Sequence, residues 1–227
     1  MRVGDRLRLA VKFLMMNFYF QIDWFVIKMA RKYDRKGKKL LDVGAWECKY
    51  KKYFERLEYL SQDVVQNSQK TIDYVGEVDK VKGRFDYILC TQVLEHVKKP
   101  EEMFEGFRRL LKSGGKVFLT TNFIYQIHME PDDYYRFTKY GLRYLGEVNG
   151  FKVEHLKAQN GVGGVLAYVL TTLPLRLGLE KAGWSYWGYL ILFSPVIVVV
   201  NLLGMGLDLL DKDKSLTVNY EVIYKKI

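Results

Sequence analysis

Cysteine, proline and histidine are all scarce in this sequence. Its 227 residues include 2 cysteines, 4 prolines and 3 histidines. Cys48 and Cys90 have neither a pairing pattern nor the spacing of metal ligands, which excludes a disulfide framework and a zinc cluster as the basis of the fold. The scarcity of cysteine predicts a reducing compartment.

A recognisable secretory signal is missing as well. Charged residues are scattered through the apolar part of the first 39 residues, and no small-residue cleavage site precedes the first predicted strand. We therefore expect a cytoplasmic protein.

Charged residues are absent from 182–207, and 161–179 is nearly as apolar. By length alone this region permits a membrane span. The tail at 215–227 alternates like a sheet strand, however, and has to rejoin the domain on the side that the chain left, which disfavours a single crossing. We expect an apolar helical insert at 159–214 that packs on the domain, covers a site as a lid, or enters one leaflet as a hairpin broken near Pro174 and Pro195.

Basic residues are plentiful, and most of them lie early in the chain. The formal net charge is +10, and most of the excess precedes the first predicted strand. This distribution predicts an anionic partner, either phospholipid headgroups or nucleic acid, although a solvated basic linker has the same composition. Residues 7–30 read as one aromatic-rich helix that either lies at a membrane interface or packs on the domain. Segment 1–38 is thus predicted to be a basic amphipathic helix and a linker.

Between residues 39 and 158 strand-like and helix-like segments alternate. Such alternation indicates a doubly wound α/β fold, whose mostly parallel sheet is covered on both faces. The tail at 215–227 is predicted to add the last strand of this core. The predicted strands are KLLDVG (39–44), EYLSQDV (58–64), TIDYVG (71–76), FDYILCT (85–91), KVFLTTN (116–122) and FKVEHLKA (151–158), and the predicted helices are YKKYFERL (50–57), PEEMFEGFRRLLKSGG (100–115) and TKYGLRYLGEVNG (138–150).

The turn after the first predicted strand is the first place where a site is expected, because ligands of open parallel sheets bind at the carboxyl ends of the strands. Asp42 ends this strand, and Gly44 can form a tight turn that lets a ligand approach the backbone. Asp63 closes the next strand about twenty residues later, where a carboxylate can accept hydrogen bonds from both hydroxyls of a ribose. For Asp42 and Gly44 alone, an ordinary strand-to-turn junction is the alternative.

Three segments carry a family resemblance: LLDVGAWECKYKKYF (40–54), FDYILCTQVLEHVKKPEEMFEGFRRLLKSGGKVFLTTNF (85–123) and HMEPDDYYRFTKYGLRYLGEVNGF (128–151). Together they resemble the class I S-adenosylmethionine-dependent methyltransferases, specifically the type 11 methyltransferase-like group. The resemblance covers about residues 39–153. It implies a Rossmann-like sheet of seven strands and S-adenosyl-L-methionine as the cofactor.

The resemblance also implies which residues hold the cofactor. Asp63 corresponds to the acid that binds the ribose, and Trp46 stands where relatives usually have glycine. The indole of Trp46 can turn outward, stack beside the cofactor or close the pocket, and the last case would make the protein a pseudoenzyme. The implied set is Asp42, Gly44, Ala45, Trp46, Asp63, Val64, Glu77, Thr91 and Gln92.

Methyl transfer needs mainly alignment, with a general base if the acceptor is a hydroxyl or an amine. His96 and His128 follow strands at the ligand-binding edge and are the candidate bases, with Asp133 as the carboxylate beside His128. Tyr134 and Arg136 lie in the same loop and are the candidate acceptor-binding residues.

Structural roles are the alternative for several of these residues. Arg136 can form an internal ion pair while Thr138 caps the next helix. His155 lies inside a predicted strand and is most simply a sheet residue.

A metal site is not predicted. Relatives that methylate phenolic hydroxyls use a glutamate and the Glu-His pair of this stretch around a divalent metal. This chain has Glu95 and His96, but the upstream position is Gln92, a neutral side chain and a poorer ligand for a hard cation. In the alternative interpretation, Glu95 and His96 hydrogen-bond the loop in place.

From these observations we predict an S-adenosylmethionine-dependent methyltransferase that acts on a small or lipid-linked acceptor, with O-methylation favoured, for example of a sugar. We expect it at the cytoplasmic face of the membrane as a peripheral protein, with an anionic membrane surface as partner and without nucleic acid. The alternatives are a membrane-associated pseudoenzyme or scaffold, an RNA methyltransferase, and an enzyme whose insert is a lid over a soluble hydrophobic substrate.

Overall fold

The structure is a computed structural model that describes residues 3–179 and 186–227. It divides the chain into two compact units. We name them the helical unit, which comprises Met1–Asp23 and Ala158–Asn219, and the sheet unit, which comprises Trp24–Lys157 and Tyr220–Ile227.

Seven strands form one sheet in the order β3-β2-β1-β4-β5-β7-β6. β1 pairs in parallel with β2 and β4, and the pairs β2/β3 and β4/β5 are also parallel. β7 is antiparallel to β6, because Ile227 donates to Gly150 at one end and Gln159 donates to Asn219 at the other. The predicted seven-stranded, mostly parallel sheet is therefore confirmed. The strands are β1 (Lys39–Val43), β2 (Glu58–Asp63), β3 (Tyr74–Val75), β4 (Phe85–Thr91), β5 (Leu111–Asn122), β6 (Phe151–Ala158) and β7 (Asn219–Lys226).

Six α-helices occur in the described parts of the chain. They are α1 (Val3–Met15), α2 (Asn17–Tyr33), α3 (Pro100–Leu110), α4 (Lys139–Val148), α5 (Val162–Pro174) and α6 (Tyr186–Leu210). Shorter helical turns are the π-turn Leu175–Leu179 and the 3-10 turns Lys51–Tyr53, Val78–Lys80 and Leu94–His96.

Helices cover both faces of the sheet within the sheet unit. On one face, Phe25 and its neighbours in α2 pack in a buried cluster with Phe118 of β5. On the other face, Phe104 of α3 packs edge-to-face against Tyr224 of β7. β7 serves both faces, with Ile223 in the first cluster and Tyr224 in the second, because neighbouring residues of a strand point to opposite sides.

The single helix predicted at 7–30 is wrong in one respect: the chain forms two helices that meet at Met16. Lys12 of α1 forms an ion pair with Asp23 of α2, and the rings of Phe13 and Phe20 meet edge-to-face with centroids 5.1 Å apart. In one straight helix Lys12 and Asp23, eleven positions apart, would be separated by about 16 Å. The two helices therefore fold against each other.

The helix predicted at 50–57 is also wrong, since only the 3-10 turn Lys51–Tyr53 forms there. The carboxylate of Asp34 accepts hydrogen bonds from the backbone amides of Glu55, Arg56 and Leu57 at 2.9–3.0 Å. These bonds hold the segment in a short path that leads directly into β2.

Two predicted boundaries shift in the sheet unit. The helix predicted at 100–115 ends at Leu110, because Leu111 is fully buried and begins β5. The strand predicted at 71–76 shrinks to Tyr74–Val75.

The apolar insert is helical, as expected, within the part that the structure describes. Pro174 ends α5, but Pro195 lies inside α6 without ending it, so the predicted break at Pro195 is wrong. The connection at 180–185, where the two helices of the insert are joined, lies outside the described residues.

Candidate functional site

The turn after β1 has the tight geometry that the sequence predicts. Gly44 has a φ of +66°, and a Cβ at this position would lie 2.3 Å from Cγ2 of Val93. The turn thus lies against the segment that follows β4, and only glycine fits there. The next residue, Ala45, donates its amide to the carbonyl of Gln62 at 3.0 Å, which ties the turn to β2.

Trp46 has the backbone conformation of a glycine and an exposed side chain. Its φ is +48°, and the residue is 61% exposed. The conformation explains why glycine is usual at this position in the family that the sequence resembles. An exposed indole does not fill the turn, which disfavours a closed pocket. An outward indole and one that stacks beside the cofactor both stay predictions.

Asp63 lies beside this turn at the end of β2. Its Oδ2 accepts a hydrogen bond from the amide of Trp46 at 2.9 Å, whereas Oδ1 has only a long 3.4 Å contact with the amide of Val65. The neighbouring side chains of Val64 and Val65 are 57% and 55% exposed. A carboxylate next to exposed apolar side chains suits a ribose and its attached base, so these residues fit the adenosyl part of S-adenosylmethionine.

Asp42 is buried, and its carboxylate accepts a hydrogen bond from the hydroxyl of Tyr59. Burial raises the pKa of Asp42 to about 7, although the hydrogen bond from Tyr59 and the positive charge of Lys49 act in the opposite direction. Asp42 therefore lies beneath the turn rather than on its surface. That it contacts the cofactor remains a prediction.

The other predicted cofactor residues follow β3 and β4. Glu77 is exposed and directly precedes the turn Val78–Lys80. Thr91 ends β4, and Gln92, with a φ of +56°, donates its amide to Thr120 of β5 at 2.8 Å. All of these residues lie at the carboxyl ends of the first four strands, where the fold places ligands.

The loop after β5 holds a histidine-carboxylate pair. Nδ1 of His128 lies 3.2 Å from Oδ2 of Asp133 and 3.2 Å from the carbonyl of Gln126. Both neighbours are acceptors, so in neutral His128 the proton belongs on Nδ1, which leaves Nε2 to accept a proton. Burial lowers the pKa of His128 below its ordinary value, so the ring is neutral at pH 7.

Asp133 orients this histidine and is itself held by Arg136. The guanidinium donates to the two carboxylate oxygens at 2.6 and 2.7 Å, and the hydrogen bonds from Arg136 hold the pKa of Asp133 well below its usual range. The same guanidinium donates to the carbonyls of Tyr125, Gln126 and Tyr135. Arg136 is thus engaged within the loop, and acceptor binding by Arg136 would require an exchange of these bonds.

His96 and Tyr134 approach the same loop. Nδ1 of His96 lies 2.5 Å from the carbonyl of Asp132, and its ring meets that of His128 with centroids 4.6 Å apart. Nε2 of His96 is buried and has no partner among the described residues. Tyr134 is 37% exposed, and its hydroxyl donates to Asp132 at 2.5 Å.

Glu95 connects this loop to β5 through hydrogen bonds. Its carboxylate is fully buried and accepts from Thr121 and Asn122 at 2.8 Å each, while its carbonyl accepts from the amide of Tyr134. Burial raises the pKa of Glu95. One donor atom from each of Glu95, His96 and His128 lies within 4.8 Å of the others, which is a spacing compatible with a metal ion. The absence of a metal site stays a prediction.

Two contributors to the site were missed in the sequence. Tyr59 contacts Asp42, and Asn67 donates to the carbonyl of Trp46 at 2.7 Å. The alternation of β2 places Tyr59 and Asp63 on one face, but its parallel register with β1, which pairs Leu40 with Tyr59, is visible only in the structure.

The seven-stranded Rossmann-like sheet, with its acids and glycine turn at the carboxyl edge, defines the fold class of the methyltransferases. A family model described as a methyltransferase domain matches residues 22–157, which is more than half of the chain. The chain belongs to this family, within the class I S-adenosylmethionine-dependent methyltransferases, as the sequence predicted.

Solved structures agree with the fold. The O-methyltransferase from a trans-AT PKS multienzyme of Brevibacillus brevis, in complex with S-adenosyl-L-homocysteine, superposes with a TM-score of 0.60 at 11% identity, covering 93% of this chain and 74% of that chain. A putative sarcosine dimethylglycine methyltransferase from Galdieria sulphuraria gives a TM-score of 0.57 at 13% identity, covering 90% and 84%. At such identities the likeness extends to the fold alone.

Curated relatives match over a shorter stretch. The ubiquinone biosynthesis O-methyltransferase of Pseudomonas paraeruginosa is 39% identical over 67 residues, which is 29% of this chain and 28% of that protein. The corresponding protein of Coxiella burnetii is 34% identical over 71 residues, or 30% of each. The chain thus matches less than a third of the length of these relatives.

Proposed function

We propose that this protein transfers the methyl group of S-adenosylmethionine to an oxygen of a small or lipid-linked acceptor at the cytoplasmic face of a membrane. Membership of the methyltransferase family supports the reaction class, and the O-methyltransferases among its relatives support oxygen as the acceptor atom. The sulfonium of the cofactor supplies an activated methyl group, so the protein mainly has to align the acceptor and remove its proton.

The pair of His128 and Asp133 is the observation that carries this proposal. A hydroxyl acceptor becomes a better nucleophile when its proton moves to a neutral base, and Nε2 of His128 is such a base. Asp133 accepts from Nδ1 and stabilises the imidazolium that forms, in the way a carboxylate assists histidine in other enzymes. Arg136 fixes Asp133 and thereby fixes the ring.

The lipid-linked character of the acceptor has independent support in the amino-terminal helix. α1 exposes an apolar stripe at helical spacing, with Arg6 and Arg8 beside it. Apolar stripes flanked by basic residues are typical of helices that lie at anionic membrane surfaces. The stripe consists of Val3, Leu7, Val11 and Leu14.

The exposed orientation of Trp46 supports an active enzyme over a pseudoenzyme. The turn at Gly44 keeps its form, and Asp63 keeps one weakly engaged oxygen, so the groups expected to bind the cofactor are present. The net charge of +10 would also suit RNA. However, the described residues show no aromatic-plus-basic recognition module, and RNA would leave the apolar insert unexplained.

The test is transfer of isotopically labelled methyl groups by the purified full chain. S-adenosylmethionine carrying the label is incubated with either the lipid fraction or the aqueous fraction of an extract from the expression host. We expect label in the lipid fraction that survives mild base, as a methyl ether does and a methyl ester does not. Label only in the aqueous fraction would overturn the lipid-linked acceptor. No transfer, together with no binding of S-adenosylhomocysteine in calorimetry, would establish a pseudoenzyme.

A further inference from the structure

α6 is apolar over a length that soluble proteins normally bury. Its stretch Ile191–Leu210 has a mean hydropathy of 2.0, yet only 17% of its most apolar 18 residues are buried. The core helix of a soluble protein would be mostly buried, and large exposed apolar surfaces mark contacts with a partner or a membrane. The exposed apolar residues of this stretch include Ile191, Leu192, Val196, Val199, Leu202, Leu203 and Leu207.

α5 also exposes apolar side chains on its outer face. Small residues lie on the side where it meets α6. The outer face exposes Leu166, Leu170 and Leu173. On the inner side, a Cβ at Gly163 would lie 2.1 Å from the carbonyl oxygen of Gly204, and a Cβ at Gly204 would lie 2.6 Å from that of Gly163. Such backbone contact through small residues is typical of helix pairs in membranes, where burial of apolar side chains gives no driving force for association.

α6 has the length of a bilayer crossing. The 20 residues of Ile191–Leu210 extend for about 30 Å, which equals the hydrocarbon thickness of a typical membrane. The apolar helix Val162–Gly178, formed by α5 and the π-turn up to the kink at Gly178, is shorter. It extends for about 25 Å, at the lower limit for a crossing.

α5 starts and α6 finishes at the same end of the helical unit. The amide of Val162 at the start of α5 donates to Asp211, just after α6, at 2.8 Å. The side chain of Asn160, before α5, accepts from the hydroxyl of Thr217 at 2.7 Å and from the amide of Val218 at 2.8 Å. The chain therefore enters and leaves the pair at the same end, as in a hairpin.

The segment that joins the two helices has the residue types of a membrane interface. It lies outside the described residues, and its sequence contains Glu180, Lys181 and Trp184. Tryptophan and charged residues are enriched where a span meets the headgroups. Arg176 lies near this end of α5, with its guanidinium 5.1 Å from the ring centroid of Tyr168, and a side chain of this length can reach the interface.

Polar side chains within the two helices find acceptors in the protein. Hydrocarbon offers no hydrogen-bond partner, so spans satisfy such groups internally. The hydroxyls of Thr171, Thr172 and Ser194 donate to carbonyls of the preceding turn. The side-chain amide of Asn201 donates to the carbonyls of Ile197 and Met15. The hydroxyl of Tyr189 donates to the carbonyl of Thr171.

We propose that α5 and α6 form a helical hairpin that crosses the lipid bilayer twice, with both of its ends on the side where the chain forms β6 and β7. The protein would then be an integral membrane protein, in place of the peripheral one expected from the sequence. The occupant of the exposed apolar surface is the hydrocarbon of the bilayer, and the length of α6 and the interface residue types in the sequence between the helices favour it over a second copy of the chain. This inference does not depend on methyl transfer.

The test is the accessibility of single cysteines in the full chain expressed in bacterial cells. Ser185→Cys lies between the helices, and Ser215→Cys lies in the exposed segment before β7. A membrane-impermeant maleimide is applied to intact right-side-out cells and to inside-out vesicles. The unchanged chain, with half-buried Cys48 and buried Cys90, gives the baseline.

We expect Ser185→Cys to react in intact cells and Ser215→Cys to react only in inside-out vesicles, with the protein retained in membranes after carbonate washing. Reaction of both variants only in inside-out vesicles would overturn the double crossing in favour of a hairpin within one leaflet. Release by carbonate as a soluble oligomer would overturn it in favour of self-association.

A matched glycine pair tests the helix contact separately. Gly204 has no room for a side chain, whereas nothing lies within 4 Å of a Cβ at Gly206 on the same helix. In detergent, Gly204→Val should lower the unfolding midpoint by roughly 5 °C or more, because overpacking is destabilising, and Gly206→Val should leave it nearly unchanged. Equal effects of the two variants would contradict the close packing of α5 on α6.

Discussion

The sheet unit and the helical unit treat their apolar side chains in opposite ways. In the sheet unit, Phe104, Phe118 and Phe151 are fully buried. In the helical unit, Ile191 and Leu203 are 75% and 64% exposed. The sheet unit excludes water from a core. The exposed apolar side chains of the helical unit are the observation behind the membrane crossing proposed above.

Titratable groups follow the same division. The sheet unit places Asp42, Asp63, His96, His128 and Asp133 at or beneath the carboxyl ends of its strands. We therefore expect catalysis to depend on the sheet unit and membrane retention to depend on the helical unit. A substitution in one unit should leave the property of the other unit unchanged.

The largest effect should come from His128. We expect His128→Ala to lower turnover by roughly 10²–10⁴-fold, the usual contribution of a general base. Steady-state assays would measure this loss, with cofactor affinity and membrane retention unchanged. His155→Ala is the control, because His155 pairs with Glu221 in the sheet and lies outside the loop. Full activity of His128→Ala would return His128 to a structural role.

The next effect should come from Asp63. If its carboxylate binds the ribose, Asp63→Ala should weaken binding of S-adenosylhomocysteine by about tenfold or more, as expected for the loss of a charge-assisted hydrogen bond. Calorimetry measures the dissociation constant, and Glu105→Ala, on the exposed face of α3, is the control. An unchanged constant with the fold intact would remove Asp63 from the cofactor site.

A glycine pair in α4 extends the comparison to packing in the sheet unit. A Cβ at Gly146 would lie 2.4 Å from the ring of Tyr224, whereas a Cβ at Gly141 would lie at an ordinary contact distance of 3.5 Å from Oγ1 of Thr138. We expect Gly146→Ala to lower the free energy of unfolding by about 1–3 kcal/mol through overpacking. Gly141→Ala should be neutral or slightly stabilising, because alanine favours helix. Denaturant titration of both variants measures the difference, and equal stabilities would contradict it.

The smallest effect concerns pH. Asp42 has a folded pKa of about 7 against an ordinary value of 3.8, so the folded state binds the proton more tightly than the unfolded state. Its stabilising contribution is fully present below about pH 4 and is lost as the pH rises through about 7. Asp42→Asn should remove this dependence, which is at most about 1.4 kcal/mol per pH unit between these two values. Parallel slopes of unfolding free energy against pH for both proteins would contradict the shifted pKa.

Strands and helix faces were predictable where local patterns were strong. Buried runs such as FDYILCT and the amphipathic helix after Pro100 need no knowledge of distant residues. The helix predicted at 50–57 failed because Asp34, some twenty residues earlier, captures the amides of Glu55, Arg56 and Leu57. A hydrogen bond over that separation leaves no local trace in the sequence.

The candidate site also has parts that local sequence patterns predict and parts that only the folded chain shows. Asp63 and Gly44 were found because strand ends and glycine turns are local signals. The arrangement of Asp133 between His128 and Arg136 required the loop to fold, and it turned Arg136 from a candidate ligand-binding group into one that is already engaged.

By itself, the sequence determined the fold family, the carboxyl edge where the cofactor residues gather and the apolar nature of the insert, because each depends on residue types at short spacing. Only the tertiary structure decided that Trp46 is exposed, that Tyr59 contacts Asp42 and that Gly163 meets Gly204. These depend on the register of strands and the approach of helices that lie far apart in the chain.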